Sequence, residues 1–151
     1  MRRVTPDLWQ RVEPLLERVE RPSRYVDREW GVLRRPDAPY RAVLAYPDAY
    51  EVGMANQALQ VLSASLAEDP DVAVERVFVP WVDMSALMRA EGVPLFTLES
   101  CVPVASCDLL GITLPYELTY ANICELLDLA GVPIRAAERA LQDQLAQEID
   151  R

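Results

Sequence analysis

The chain has 151 residues, of which 51% are apolar and 26% charged, and a formal net charge of −9. It contains no His and no Lys, all fifteen basic residues being Arg, which excludes His-based triads, His-ligated metals, a phosphate-loop Lys and a Schiff-base Lys. The length suits one domain with a real core, and the longest uncharged stretch, residues 52–67, is too short and too polar to cross a membrane.

Met1-Arg2-Arg3 leads into no apolar run, so no signal peptide is read and a cytoplasmic protein away from the membrane is expected. Cys101, Cys107 and Cys124 are odd in number and form no C-x-x-C pair, so they read as reduced thiols rather than a disulfide framework.

The first predicted element is a helix. Thr5 is its cap, Pro6 its first position, and Trp9, Val12, Leu15, Leu16 and Val19 form an apolar stripe that Pro14 should kink or divide. From Pro22 to Pro39 the chain reads as an irregular wrap. A short buried strand follows at 41–46, then a helix at 54–67 with Ala55, Leu59, Leu62 and Leu66 inward. Residues 73–79 are rich in β-branched side chains and stop at Pro80, which predicts a second strand. Asp83 caps a helix that carries Met84, Leu87 and Met88 on one face and ends at Gly92. Residues 95–98 and 108–114 read as a third and a fourth strand. A helix over 119–130 turns Ile123, Leu126, Leu127 and Ala130 inward and ends at Gly131, and a last helix spans about 136–149.

Short apolar strands separated by helices predict a parallel sheet. The fold class is therefore α/β: a flavodoxin-like open parallel sheet of about four strands, with flanking helices and an N-terminal helical extension. The divisions are an extension over 1–40, the α/β domain over 41–135, and a C-terminal helix over 136–151.

Charge separates the first two divisions. Residues 1–41 hold ten Arg against seven acids, and residues 42–151 hold five Arg against seventeen. So acidic a body repels phosphate backbones, and no nucleic-acid partner is expected. The basic segment reads as a solvated extension packed on that body rather than an RNA-contacting arm.

In an open parallel sheet, ligands bind beyond the carboxyl ends of the strands. The residues there are rich in aromatic, acidic and amide groups, which suit a flat organic ligand: Asp48, Tyr50, Glu51, Gly53, Met54, Glu99, Tyr116, Glu117 and Asn122. Asp48 and Glu117 would accept hydrogen bonds, Gly53 would allow close backbone approach, and Tyr50 and Tyr116 would supply flat apolar surface. The alternative is that these residues are strand ends, helix caps and packing residues, as Thr119 and Asn122 in particular suggest. A Mg²⁺ site of Asp48, Glu51, Glu99 and Glu117, as in a phospho-acceptor receiver domain, is disfavoured because that chemistry needs a Lys after a fifth strand. No catalytic residue and no metal ligand is assigned.

Four segments taken in order resemble the cobalamin-binding-type domain at the N-terminus of one radical SAM protein family. They are RAVLAYPDAYEVGMANQALQVL at 41–62, ERVFVPWVDM at 75–84, PLFTLES at 94–100 and DLLGITLPYELTYANICELLDLAGVP at 108–133. RPSRYVDRE at 21–29 is similar to that family's Arg-Tyr-x-Gly-x-Glu lead-in, with Asp27 where Gly is usual. The resemblance covers roughly residues 20–138.

It implies a module that precedes a radical SAM barrel, in which a [4Fe–4S] cluster held by C-x-x-x-C-x-x-C reduces S-adenosylmethionine. This chain carries neither that motif nor the barrel, so the cluster and S-adenosylmethionine would belong to a downstream domain or a partner radical SAM protein. Where cobalamin domains carry D-x-H-x-x-G, this chain reads Asp48-Ala49-Tyr50-Glu51-Val52-Gly53. Tyr50 replaces the His, so the resemblance implies a cobalamin bound without a His lower ligand, set against a fold that persists with no cofactor. After about Glu138 the similarity fades into RALQDQLAQEIDR, where the family continues into another strand. The functional expectation is a cobalamin-binding-type module that is not catalytic by itself. The alternative is a cofactor-free interaction module docking through its sheet edge or acidic face.

Overall fold

The computed structural model describes residues 7–26 and 32–140. Its core is a three-stranded parallel sheet of order β2-β1-β3, formed by β1 (Tyr40–Tyr46), β2 (Val72–Phe78) and β3 (Leu109–Ile112). β1 pairs with β2 from Tyr40↔Val72 to Tyr46↔Phe78, and with β3 from Ala42↔Leu109 to Ala45↔Ile112. The helices are α1 (Asp7–Leu16), α2 (Tyr50–Met54), α3 (Gln57–Leu66), α4 (Val82–Glu91) and α5 (Tyr120–Ala130). The architecture is α/β, with an open parallel sheet flanked by helices in a flavodoxin-like arrangement. Among the described residues no helix is long and apolar enough to cross a membrane.

The two sheet faces are covered unequally. On one, Val43, Ala45 and Val77 pack with Leu8, Val12 and Leu15 of α1, Met84 and Met88 of α4, and Leu126 and Leu129 of α5. The N-terminal helix is thus part of the main core. On the other, a smaller cluster joins Leu44, Tyr46 and Phe78 to Leu59 of α3 and to Leu98.

Local chemistry sets several boundaries. Gly92 and Gly131 end α4 and α5 in the left-handed region, at φ 63° and 69°, where a Cβ would be strained. Arg11 of α1 donates to the carbonyls of Glu91 and Gly92, closing the end of α4.

The structure departs from the sequence reading at several places. Asp83 does not cap α4: it is the second residue of the helix, after the N-cap Trp81 and Val82, and its carboxylate accepts from Glu20 N–H. Pro14 does not divide α1, which runs on to Leu16. Pro14 lies on the exposed face two residues before the helix end, where water can bond the Gln10 carbonyl it leaves without an N–H partner. Leu8 rather than Trp9 fills the inward position of α1. The helix expected over 54–67 is two helices, because the Asn56 side chain accepts from Leu59 N–H and restarts the chain as α3. Leu62 is about half exposed, leaving Leu59 as the buried residue of α3.

The third expected strand, 95–98, is a further departure, and among the described residues the sheet has three strands rather than about four. Phe96 makes an isolated antiparallel bridge to Pro103, and Leu98 N–H reaches Arg76 C=O of β2 at 2.9 Å. Pro94 and Pro103 supply no N–H, and Thr97 folds back on Val102 through both its backbone and its hydroxyl, so no ladder propagates. The expected cap residues Thr5 and Pro6 and most of the last predicted helix lie outside the described residues. That helix has begun by residue 136.

Candidate functional site

The order β2-β1-β3 puts the topological switch point between β1 and β3, so the crevice to inspect lies beyond their carboxyl ends. Asp48 lies in the loop that leaves β1 there. Its carboxylate accepts from Ala49 N–H at 2.7 Å and lies 3.5 Å from the Tyr116 hydroxyl, while its backbone carbonyl accepts from Val79 N–H after β2. Asn122, at the start of α5, donates its side-chain amide to Pro47 C=O at 2.9 Å, tying the loop after β3 to the loop after β1. Thr119 is buried and donates to Tyr116 C=O, which fixes the turn that carries Tyr116. Glu117 is exposed on that same turn.

A second group of the expected residues is already engaged within the chain. Tyr50 packs edge-on against Phe78 with ring centres 5.5 Å apart. Gly53 is buried, and a Cβ placed there would lie 2.3 Å from the Phe78 ring, so its closeness serves helix–strand packing. Glu51 accepts from Arg24 at 2.8 Å and Arg21 at 3.2 Å. Burial would raise the Glu51 carboxyl, but the bonds from Arg24, its own backbone and Arg21 outweigh that and hold it below the usual carboxylate range.

Arg24 also lies over the Trp81 ring at 4.8 Å, and the Tyr25 hydroxyl accepts from Trp81 N–H. Residues 21–25 therefore strap the carboxyl end of β2. Beneath Arg24 and Tyr25 only about 20 Å³ is left against Tyr50, Phe78 and Pro80, room for a single water.

A third pair stands apart, at the outer edge of β2. The Glu99 side chain is 4% exposed and accepts from both the backbone N–H and Nε of Arg76. Burial pushes the Glu99 carboxyl up, against the pull of Arg76. Met54 sulfur accepts from the other side of the same guanidinium at 3.3 Å. The nine expected residues thus divide into a crevice group (Asp48, Tyr116, Glu117, Asn122), a strap group (Tyr50, Glu51, Gly53) and an edge pair (Met54, Glu99). Among the described residues no three Asp, Glu or Cys side chains gather as a metal-binding group.

Sequence reasoning missed two features. One is the strap itself, whose signal was the Arg-Tyr pair at 24–25 preceding an aromatic at 81. The other is a rim of exposed apolar side chains at the carboxyl end: Trp81 and Val82 after β2, and Leu114, Tyr116, Leu118 and Tyr120 after β3, with Val82 75% and Leu118 85% exposed.

Burial, helped by the negative charge of Glu75, pushes the Cys101 thiol up to about 12 and the Cys107 thiol up to about 11, so both are protonated, packed thiols in this fold.

A family model described as radical SAM proteins, N-terminal, matches residues 58–146, more than half of the chain. The match takes in β2, α4, β3 and α5, and with them Trp81, Glu99, Tyr116 and Asn122. No curated protein and no solved structure matches the chain.

Proposed function

The chain belongs to the radical SAM N-terminal family, and from that premise we propose that it is a non-catalytic module that presents a flat corrinoid to a radical SAM partner domain or protein. The observation that carries this reading is the apolar rim at the carboxyl ends of the strands, set around the hydrogen-bonding pair Asp48 and Tyr116. A large planar ligand with an amide-bearing periphery needs apolar surface for its face and a few acceptors at its edge.

Tyr116, Leu118 and Tyr120 would meet the ring face, Asp48 and Glu117 would accept from peripheral amides, and Asn122 would hold the two loops in register. The chain has no His to serve as a lower ligand. A bound corrinoid would supply alkyl-transfer or electron chemistry to the partner. This chain's own residues bind it, orient it and shield one face from water.

Equilibrium dialysis against cobalamin and cobinamide tests the reading. Saturable retention is expected, weakened at least tenfold by Leu118→Asp and by Asp48→Ala. No retention of either compound at about 1 mM, the limit of specific weak binding at ~4 kcal/mol, overturns it.

A further inference from the structure

Met54 and Glu99, which the crevice does not use, lie on a second cavity. It is a groove of about 420 Å³ between α3 and the outer edge of β2. Leu59, Ser63, Ala64 and Ala67 of α3 form one wall, and Val74 and Arg76 of β2 form the other.

The groove meets β2 at a gap in its closed edge. Glu99 and Leu98 take the N–H and C=O of Arg76 from outside the sheet. Strand alternation then turns the backbone groups of Val72 and Val74 outward as well. At Val72 the N–H bonds Asp69 C=O, and the C=O accepts from Arg35. At Val74, between them, no described residue bonds either group. The window is one residue long. The groups at Val72 and Arg76 stand on both sides of it, so a pairing strand does not fit and a single small group does.

Two other wall residues have bonding capacity left. The Arg76 side chain is 14% exposed. It gives Nε to Glu99 and Nη1 to the Met54 sulfur, and no described residue takes its Nη2. The Ser63 hydroxyl is buried and has no hydrogen-bond partner. Buried polar groups are costly to leave unbonded, so an occupant that takes these bonds gains by it.

We propose that this groove binds a small uncharged ligand through a carboxamide seated at Val74. The N–H and C=O of one strand residue stand side by side, and an amide offers an acceptor and a donor side by side. Its oxygen also accepts from Arg76 Nη2. A carboxylate has no donor for the Val74 carbonyl, and it would lie beside the buried Glu99 carboxylate. The charge of Arg76 is already met by Glu99, which favours a neutral ligand. Leu59, Ala64 and Ala67 suit an apolar body on that amide. The volume falls among small-molecule sites, roughly 300–1,000 Å³, and the walls are too apolar for a water-filled pocket.

Nuclear magnetic resonance on the full chain is the test, with isovaleramide and benzamide as probes and isovalerate and benzoate as the matched acids. In the free chain the Val74 amide should exchange with solvent faster than those of Ala73 and Glu75, which face β1. Either amide probe should give saturable shifts at Ser63, Val74 and the Arg76 side chain, and should slow exchange at Val74. The acids should bind at least tenfold more weakly. Ala64→Phe fills the groove from an exposed helix position and should weaken binding at least tenfold, with circular dichroism unchanged. Ser63→Ala should weaken it roughly threefold, through the loss of one hydrogen bond. A Val74 amide as protected as its neighbours in the free chain overturns the proposal. So does the absence of saturable shifts at about 10 mM of either amide. Acids that bind as well as the amides, or binding that Ala64→Phe leaves intact, overturn it too.

Discussion

Along the outer edge of β2, groups from two distant segments bond to the outward backbone of the strand, whereas along the outer edge of β3 no described residue does so. Arg35 donates to the carbonyls of Val72, Asp69 and Ala67, closing the entry to β2. At the middle of the strand Glu99 takes the N–H of Arg76, and Leu98 donates to its C=O. The next residue, Ser100, donates from its backbone and its hydroxyl to buried Glu75, which also pairs with Arg41. Residues 99 and 100 thus grip β2 through both of its faces, and the following Cys101 is turned into the left-handed region at φ 50°. A parallel edge can be finished without another strand if carboxylates and guanidinium groups stand in for its hydrogen bonds. That solution uses buried charge, and it fixes the edge against pairing with anything else.

The comparison is broken most severely by Arg76→Ala. This variant leaves Glu99 buried without its counter-charge and should cost ~3–5 kcal/mol in urea unfolding, with faster exchange across β2 and little change across β3. A smaller loss follows from Arg35→Ala, which releases three carbonyls near the start of β2 and should cost ~1–3 kcal/mol in the same assay. A stability equal to wild type would show that solvent can replace the guanidinium.

The smallest effects are in pH dependence, and two carboxylates should show opposite signs. Glu99 is raised by burial, so its contribution is complete below the unfolded carboxyl pKa of about 4.3 and is lost as pH rises through its folded value. The margin of wild type over Glu99→Gln should therefore shrink from pH 4 to pH 8. Glu51 is lowered, despite the opposing effect of burial, by its arginine and backbone bonds, so its contribution is present above that unfolded value and lost as pH falls through the folded one. The side chain is 42% exposed, so Glu51→Gln should leave global stability nearly unchanged and appear as faster amide exchange at residues 21–25, a difference that vanishes in acid. Parallel pH responses of the two variants would contradict this assignment.

Much of the fold was legible in order. The apolar run at 41–46 and the Val-rich run at 73–79 marked β1 and β2, because a buried parallel strand needs little beyond apolar residues of the right length. Gly92 and Gly131 marked helix ends because a left-handed backbone conformation is strained for a residue with a Cβ. Residues 95–98 carry the same apolar signature as β3, yet only one run pairs in the sheet. An apolar run reports burial and is silent about which backbone groups it will face.

The candidate site was legible as loops and illegible as a constellation. Asp48, Tyr116 and Asn122 meet because β1 and β3 are neighbours. Tyr50, Glu51 and Glu99, equally plausible by residue type, are drawn off by Phe78, by the arginine strap and by Arg76.

By itself the sequence determined the chemistry on offer: no imidazole, no amine side chain, no cluster of closely spaced thiols, an acidic body and an uncharged stretch at 52–67. It also determined the local elements, through periodicity and backbone preference, which act within a few residues. Only the tertiary structure decided which polar groups spend themselves on the fold, which edge is closed, and which apolar side chains are left facing outward. Those outcomes depend on contacts between segments tens of residues apart, and the pairing of Arg76 with Glu99 rather than with a ligand is settled only when both are buried together.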